Sequence, residues 1–254
     1  MFRVDLNSDL GESFGNYTLG CDAEVLKYVT SANIACGFHA GDPTVMRETI
    51  KLALASGTAL GAHPGLPDLQ GFGRRNMAIT PQEAYDIIVY QIGALQAFAK
   101  SEGATLQHVK AHGALYNMAA KDRKLAEALA EAVYAVNPEM ILFALAGSEM
   151  IDAAEKLGLR TASEVFADRS YQKDGSLTPR KMAGAMITEE SAALAQVLSM
   201  VIKGRVKTLT GEEIILKADT ICVHGDGAKA IEFTKKIRGS LLGAGVAVCN
   251  FSVQ

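Results

Sequence analysis

The sequence predicts an α/β fold in which about seven or eight short parallel strands, each followed by a helix, close into a barrel. Three observations carry this. Apolar runs of strand length alternate with amphipathic stretches along the 254 residues, and parallel neighbours require such crossovers. The amphipathic stretches are bounded by start and stop signals with a physical cause. The chemically capable side chains fall just past the ends of the apolar runs, where a closed parallel barrel gathers them at one mouth.

The first strand is "FRVDLN", and the alternation of Asp5, Asn7 and Asp9 turns those three to one inward face. "SANIACGF" is the second. Asp42 then offers a capping oxygen and Pro43 a backbone already at helical φ, with Val45, Ile50, Leu52 and Leu54 running to Gly57 as a stop. After the third strand, "TALGAH", a helix is signalled by the Thr80 and Glu83 capping box, by Pro81 at its first position and by Gly103 at its end. "LQHVKAH", "MILFALA", "LRTASEVF" and "DTICVHG" complete seven strands, with "GVAVCNF" as a candidate last one; further helices are expected over about 121–136, 148–157, 188–203 and 226–242. "VKTLTGEEIILK" differs: two β-prone runs flank Thr210 and Gly211, which predicts a side hairpin near 205–217. No linker divides the chain, so residues 1–254 are expected to form a single domain.

Composition excludes several classes. Lys and Arg number 25 against 28 Asp and Glu, a net charge of −3, with no basic run to track a phosphate backbone. Nucleic acid is therefore not the expected partner. Apolar runs such as "MILFALAG" are far shorter than the roughly 18 residues of a membrane span. The four cysteines include no CxxC, and "MFRVDLNSDL" carries charges where a signal peptide needs an apolar run. A reduced, cytoplasmic protein is expected.

The candidate site residues follow the strands: Asn7, Asp9 and Glu12 the first, His39 the second, His63 and Asp68 the third, Lys110, His112 and Tyr116 the fourth, Glu164, Asp168 and Arg169 the sixth, His224 and Asp226 the seventh. Four of the five histidines sit there beside glycine, in "FHAGD", "AHPG", "AHGA" and "VHGDG", which suggests close approach of backbone to a ligand. In "HVKAHG" the alternating His108, Lys110 and His112 share one face, and an inward lysine is costly without a partner. His108, deeper in its strand, reads as a hydrogen-bonded packing residue. Cys36 reads as core, because nothing local lowers its pKa, and Asp42 as a cap. Asp9 and Glu12 are either active-site carboxylates or loop caps; His224 and Asp226 carry the same alternative.

Two long loops, "PGLPDLQGFGRRNMA" and "DRSYQKDGSLTPR", supply Arg74, Arg75, Arg169 and Arg180, whose planar forks suit a carboxylate or phosphate. No P-loop, Rossmann fingerprint or GxSxG is present. Asp9, His39 and His63 could supply three metal ligands, but no HxH or HExxH pair supports them, so the metal is left open.

At "VDLNSDLGES", "SANIACGFHAGDP", "GAHPGLPDLQGFGRR", "HVKAHGALYN", "EVFADRSYQKDGSLTPR" and "CVHGDG" the chain resembles the LamB/YcsF family over nearly its whole length. The resemblance implies an irregular (β/α) barrel of about seven parallel strands, glycoside hydrolase/deacetylase-like. It also implies ATP-dependent opening of the lactam 5-oxo-L-proline to L-glutamate together with partner subunits B and C, which would hold the ATP and so account for the missing P-loop. Ala111 stands where the family usually has proline, a change that removes no reactive group.

On this reading phosphorylation of the lactam oxygen opens C5 to water. Asp9 or His39 is the expected general base, Lys110 with an arginine steadies negative charge, and His63, His112 and His224 move or orient protons. Asn7, Glu12, Arg74, Tyr116, Asp168 and Arg169 are the expected substrate contacts. Two rival readings stand beside it: an independent metal-dependent hydrolase or deacetylase, and a non-catalytic subunit that presents the substrate.

Overall fold

The protein is described by a computed structural model over residues 2–223 and 228–251. Seven parallel strands close a barrel: β1 (Arg3–Leu10), β2 (Ser31–Ala35), β3 (Ala59–His63), β4 (His108–Lys110), β5 (Ile141–Leu145), β6 (Arg160–Phe166) and β9 (Thr220–Cys222). Closure is made by β9, which pairs with β6 through Glu164↔Thr220 and with β1 through Asp5↔Thr220. β10 (Ala247–Val248) adds to the start of β1, at Arg3↔Ala247. β7 (Arg205–Lys207) and β8 (Glu213–Ile215) form a separate antiparallel pair.

The helices between strands are α1 (Asp22–Val25), α2 (Pro43–Ala55), α3 (Pro81–Ser101), α4 (Gly113–Ala119), α5 (Arg123–Val136), α6 (Glu149–Leu157), α7 (Glu190–Leu198) and α8 (Ala228–Gly243). The caps read from sequence are made. Asp42 accepts from the Thr44 and Val45 amides at 2.8 and 3.0 Å. Thr80 and Glu83 close their box, with the Thr80 amide 2.7 Å from the Glu83 carboxylate.

Three features depart from the expected βα regularity. The crossover after β1 holds only the four-residue α1. The helix expected over 188–203 is α7 continued by a π-helical turn at Ser199–Lys203. α4 carries no start signal in the sequence: His112 makes no side-chain cap and Gly113 enters at φ +53°.

Alternation along the strands divides two interiors. Leu6, Ile34, Val109, Leu142, Val165 and Ile221 are all fully buried in the large apolar core. The intervening positions fill the barrel itself, and many are polar. Asp5 accepts from Thr30, Ser31 and Thr220 hydroxyls at 2.5–2.7 Å. His108 stacks on Phe143 at 4.1 Å and lies 2.8 Å from the Asn33 side-chain oxygen, the hydrogen-bonded packing role its depth suggested. Gly61 makes room for it, since a Cβ there would lie 2.0 Å from the His108 Nε2.

Candidate functional site

The floor of the mouth is built by residues from four strands around one ammonium. Lys110 Nζ lies 2.9 Å from Asp9 Oδ1 and 2.8 Å from Glu164 Oε1, donates to Asn7 Oδ1 at 3.1 Å, and is 3.2 Å from Cys222 Sγ. Burial works to neutralise this amine, but Asp9, Cys222 and Glu164 hold its pKa well above the ordinary value, so it stays charged. Burial also resists ionisation of Asp9, yet His63 and Lys110 keep its carboxyl well below the usual range. Tyr116 donates to Glu164 Oε2 at 2.6 Å; burial and that carboxylate raise its pKa, leaving a neutral phenol. Asn33 Nδ2 donates to both Asn7 Oδ1 and Asp9 Oδ1, at 2.7 and 2.9 Å, and so fixes the rotamer of Asp9.

Beside the floor is a cluster of imidazoles whose tautomers are set by carbonyls. His63 Nδ1 meets the Lys110 carbonyl at 2.7 Å and His112 Nε2 meets the Phe72 carbonyl at 2.8 Å. A carbonyl only accepts, so each of those nitrogens carries a proton. With those positions donating, His63 Nε2 and His112 Nδ1 are the ring nitrogens left to face each other, at 2.9 Å. Asp9 Oδ2 stands 3.3 Å from the first, and Glu12 Oε1 3.5 Å from the second. Two carboxylate oxygens and two ring nitrogens thus converge where a positive charge, a proton or a metal ion, would be held.

His39 lies behind His112, stacked on it at 3.7 Å and 2°. Its Nε2 is 3.2 Å from Glu12 Oε1, and its Nδ1 is buried without a partner. Burial and the neighbouring His112 push the pKa of His39 well down; burial and His63 push His112 down to about 3. Both rings are therefore neutral near pH 7. Glu12, His39, His63 and His112 each offer one ligand atom, all within 4.8 Å of one another, a donor set suited to a divalent cation.

Of the glycines beside these histidines, Gly65 lies against a ring, since a Cβ there would come 2.6 Å from His39 Nδ1, whereas at Gly41 and Gly113 it would meet backbone carbonyls at 3.0 and 2.6 Å. A Cβ on Gly73, at φ +60°, would come 2.7 Å from His39 Cβ and 2.9 Å from His112 Cδ2.

Above the floor opens a cavity of about 550 Å³, reached by Asp9, His63, Lys110 and His112 below and by the loops after β3 and β6 above. Arg74, Tyr116 and Arg169 line it, as does Arg180, while Asn7 supports the floor from beneath through Lys110. Glu12 and His39 do not line it. Arg75 turns away to an ion pair with Asp68. Asp168 is absent from the lining, its carbonyl accepting from the Ile187 amide at 2.8 Å. His224 and Asp226 lie outside the described residues. Cys36 is core: it is buried, and burial pushes its thiol up to about 12.

Sequence reasoning did not single out Asn33, and it placed Glu164 at the end of the sixth strand without pairing it with Lys110. The signal was present, since Asn33 follows Ser31 and Glu164 follows Ala162 at the same inward alternation, and a buried polar side chain on that face needs a partner. Lys121 and Lys181, which line the outer cavity, had no comparable signal.

The LamB/YcsF family pattern matches residues 4–254. The chain is 62% identical over 254 residues to the A subunit of 5-oxoprolinase from Bacillus subtilis (strain 168), covering 100% of this chain and 99% of that one. It is 60% identical over 245 residues to the protein of the same name from Bordetella pertussis, covering 96% and 97%. Among solved structures, the lactam utilization protein from Thermus thermophilus superposes with a TM-score of 0.93 at 48% identity, covering 98% of this chain and 100% of that one. A putative cellobiose-phosphate cleavage protein from Enterococcus faecalis V583, at TM-score 0.63, 15% identity and 98% and 97% coverage, shares the fold.

Proposed function

The chain belongs to the LamB/YcsF family, and we propose that it is the ring-opening subunit of an ATP-dependent 5-oxoprolinase, acting with subunits B and C to convert 5-oxo-L-proline to L-glutamate. Its relatives at about 60% identity, matched end to end, carry the name of that subunit. The observation that carries the chemistry is the Lys110 ammonium on the cavity floor, held between Asp9 and Glu164. The absence of a nucleotide motif in the sequence supports an ATP site on the partners. No helix among the described residues is long and apolar enough to cross a membrane, and the four cysteines are free thiols, in keeping with a reduced, cytoplasmic setting.

A lactam carbonyl is a poor electrophile. Transfer of the ATP γ-phosphoryl group to the lactam oxygen, with loss of the ring N–H proton, gives a cyclic imidate phosphate and ADP. Water then adds to C5 as Asp9, ionised and on the cavity wall, takes its proton, and the fixed ammonium of Lys110 opposes the charge that develops. Cleavage of C5–N with protonation of nitrogen gives γ-glutamyl phosphate, and a second water releases glutamate and inorganic phosphate. His63 and His112 face the same space and can pass the proton from water to nitrogen. His39 lies behind His112 and outside the cavity lining, where it positions that ring, and Asp9 is the one of the two expected bases that lines the cavity.

Glu12, His39, His63 and His112 also form a donor set that would hold a divalent cation. When bound, such an ion supplies Lewis-acid polarisation and acidifies a water. That donor set favours, as a second reading, a metal-dependent hydrolase that works without partners.

The deciding experiment is glutamate release from 5-oxoproline and ATP by the purified chain, alone and with subunits B and C, with metal content read on the same sample. Activity only in the mixture supports the three-part enzyme. Chelator-sensitive hydrolysis by the chain alone would replace it with the second reading. A Lys110→Met variant that assembles and binds substrate but does not turn over would count against a purely presenting subunit.

A further inference from the structure

The cavity has an outer half that oxoproline itself does not need. The lactam is a small monoanion, whereas the space above the floor is about 550 Å³, within the range that takes much larger ligands. Five cations line its outer part. Arg74 comes from the loop after β3, Lys121 from the turn between α4 and α5, and Arg169, Arg180 and Lys181 from the loop between β6 and α7. Among the described lining residues the sole carboxylate is Asp9, already paired with Lys110. This concentration stands out in a chain whose net charge is −3.

Arg169 gives the patch the character of a built site. It is only 6% exposed, donates from Nη2 to the Thr178 carbonyl at 2.7 Å, and keeps an Nε–H buried without a partner. Burial and the neighbouring Arg180 both press on its charge, and Asp168 offsets them only in part. Adjacent guanidinium groups with an unmade buried donor form a site that an anion completes, and a tetrahedral dianion matches their forked geometry.

We propose that the outer half of the cavity is a phosphoryl subsite, in which Arg169, Arg180, Lys181 and Lys121 hold the phosphoryl group of a lactam that reaches this chain already phosphorylated. The inference rests on the ring-opening reading above and makes its substrate explicit: the cyclic imidate phosphate, with C5 over Lys110 and the phosphoryl group toward the rim. Inorganic phosphate, the final leaving product, departs from the same subsite. An imidate phosphate that is not held there loses its phosphoryl group to water and reverts to the lactam, so ATP is consumed without ring opening.

The test has two arms, phosphate titration and coupled turnover, both on a Lys121→Met/Lys181→Met double variant, whose two side chains are exposed so that folding is not at issue. Calorimetric titration of inorganic phosphate into the chain alone should show binding that weakens about tenfold or more in the double variant. In the mixture with subunits B and C, ADP formed per glutamate should rise from about one to at least threefold higher in the double variant. Absence of phosphate binding to the parent overturns the proposal, as does an unchanged ADP-to-glutamate ratio in the variant. Loss of assembly with the partners, read by size-exclusion chromatography, also overturns it by making the rim a protein-docking surface. If the parent mixture forms no glutamate, the ring-opening reading fails by itself, and the phosphate titration still decides whether the subsite exists.

Discussion

Replacing Lys110 by methionine should cost stability as well as activity. The ammonium is within 2.9 Å of Asp9 and 2.8 Å of Glu164, and its removal strands two carboxylates in a site where Glu164 is fully buried. Breaking a buried pair by removing one partner costs about 3–5 kcal/mol. An independent bound agrees: keeping one carboxylic acid of ordinary acidity protonated at pH 7 costs about 3.7 kcal/mol, and a stranded carboxylate takes up a proton once the penalty reaches that level. The folded variant then binds a proton that its unfolded chain does not, so its stability should fall by about 1.4 kcal/mol per pH unit between roughly pH 4.5 and 7. Adding Glu164→Gln removes one stranded charge, keeps an acceptor for the Tyr116 hydroxyl, and should restore about 2–3 kcal/mol without restoring glutamate release. The assay is equilibrium urea unfolding of parent, single and double variants at pH 5, 6 and 7, with glutamate release measured in the mixture. A single variant as stable as the parent at every pH, or a double variant no more stable than the single, would refute this account of the floor.

Other consequences are open to direct measurement. His108 is pushed down to about 3, by burial and then by Lys110. Its ring is thus neutral in the fold but protonated in the unfolded chain below about pH 6.5; the stability it contributes is complete above that pH and is lost as pH falls toward 3, about 2 kcal/mol by pH 5. His108→Gln should flatten the acid limb of the urea midpoint against pH, and an unaltered limb would contradict a buried neutral ring. Gly73→Ala places a side chain at φ +60° and 2.7 Å from His39 Cβ; a loss of about 1–3 kcal/mol and of turnover is expected. Gly93→Ala in α3, where a Cβ meets nothing within 4 Å, should instead stabilise by about 0.5–1 kcal/mol. If the imidazole cluster holds a divalent cation, protein dialysed against zinc should retain it stoichiometrically and lose it in His63→Ala and His112→Ala. Retention in both variants would place the ion elsewhere.

The local signals are legible because they are local physics. Asp42 before Pro43 and Thr80 three residues before Glu83 specify helix starts through bonds spanning two or three residues. Strand alternation likewise turns Asp5, Asn7, Asp9, His108 and Lys110 inward, since a period of two is a property of the extended backbone. Reactive side chains at strand ends follow from parallel topology. The linear pattern therefore points to the fold class and to the strand ends as the place of the candidate side chains.

It leaves open which of them touch. Lys110 meets Asp9 across 101 residues of chain and Tyr116 meets Glu164 across 48. The first pair depends on the register at which β9 joins β6 to β1 and the second on the register of β4, β5 and β6, and no short-range pattern encodes either. The same holds for the imidazoles. The carbonyls of Lys110 and Phe72 fix their tautomers, and stacking on His112 puts His39 behind the wall. These matters are settled by the closed barrel, because a strand's periodicity sets the side a residue faces, whereas closure sets what stands opposite it.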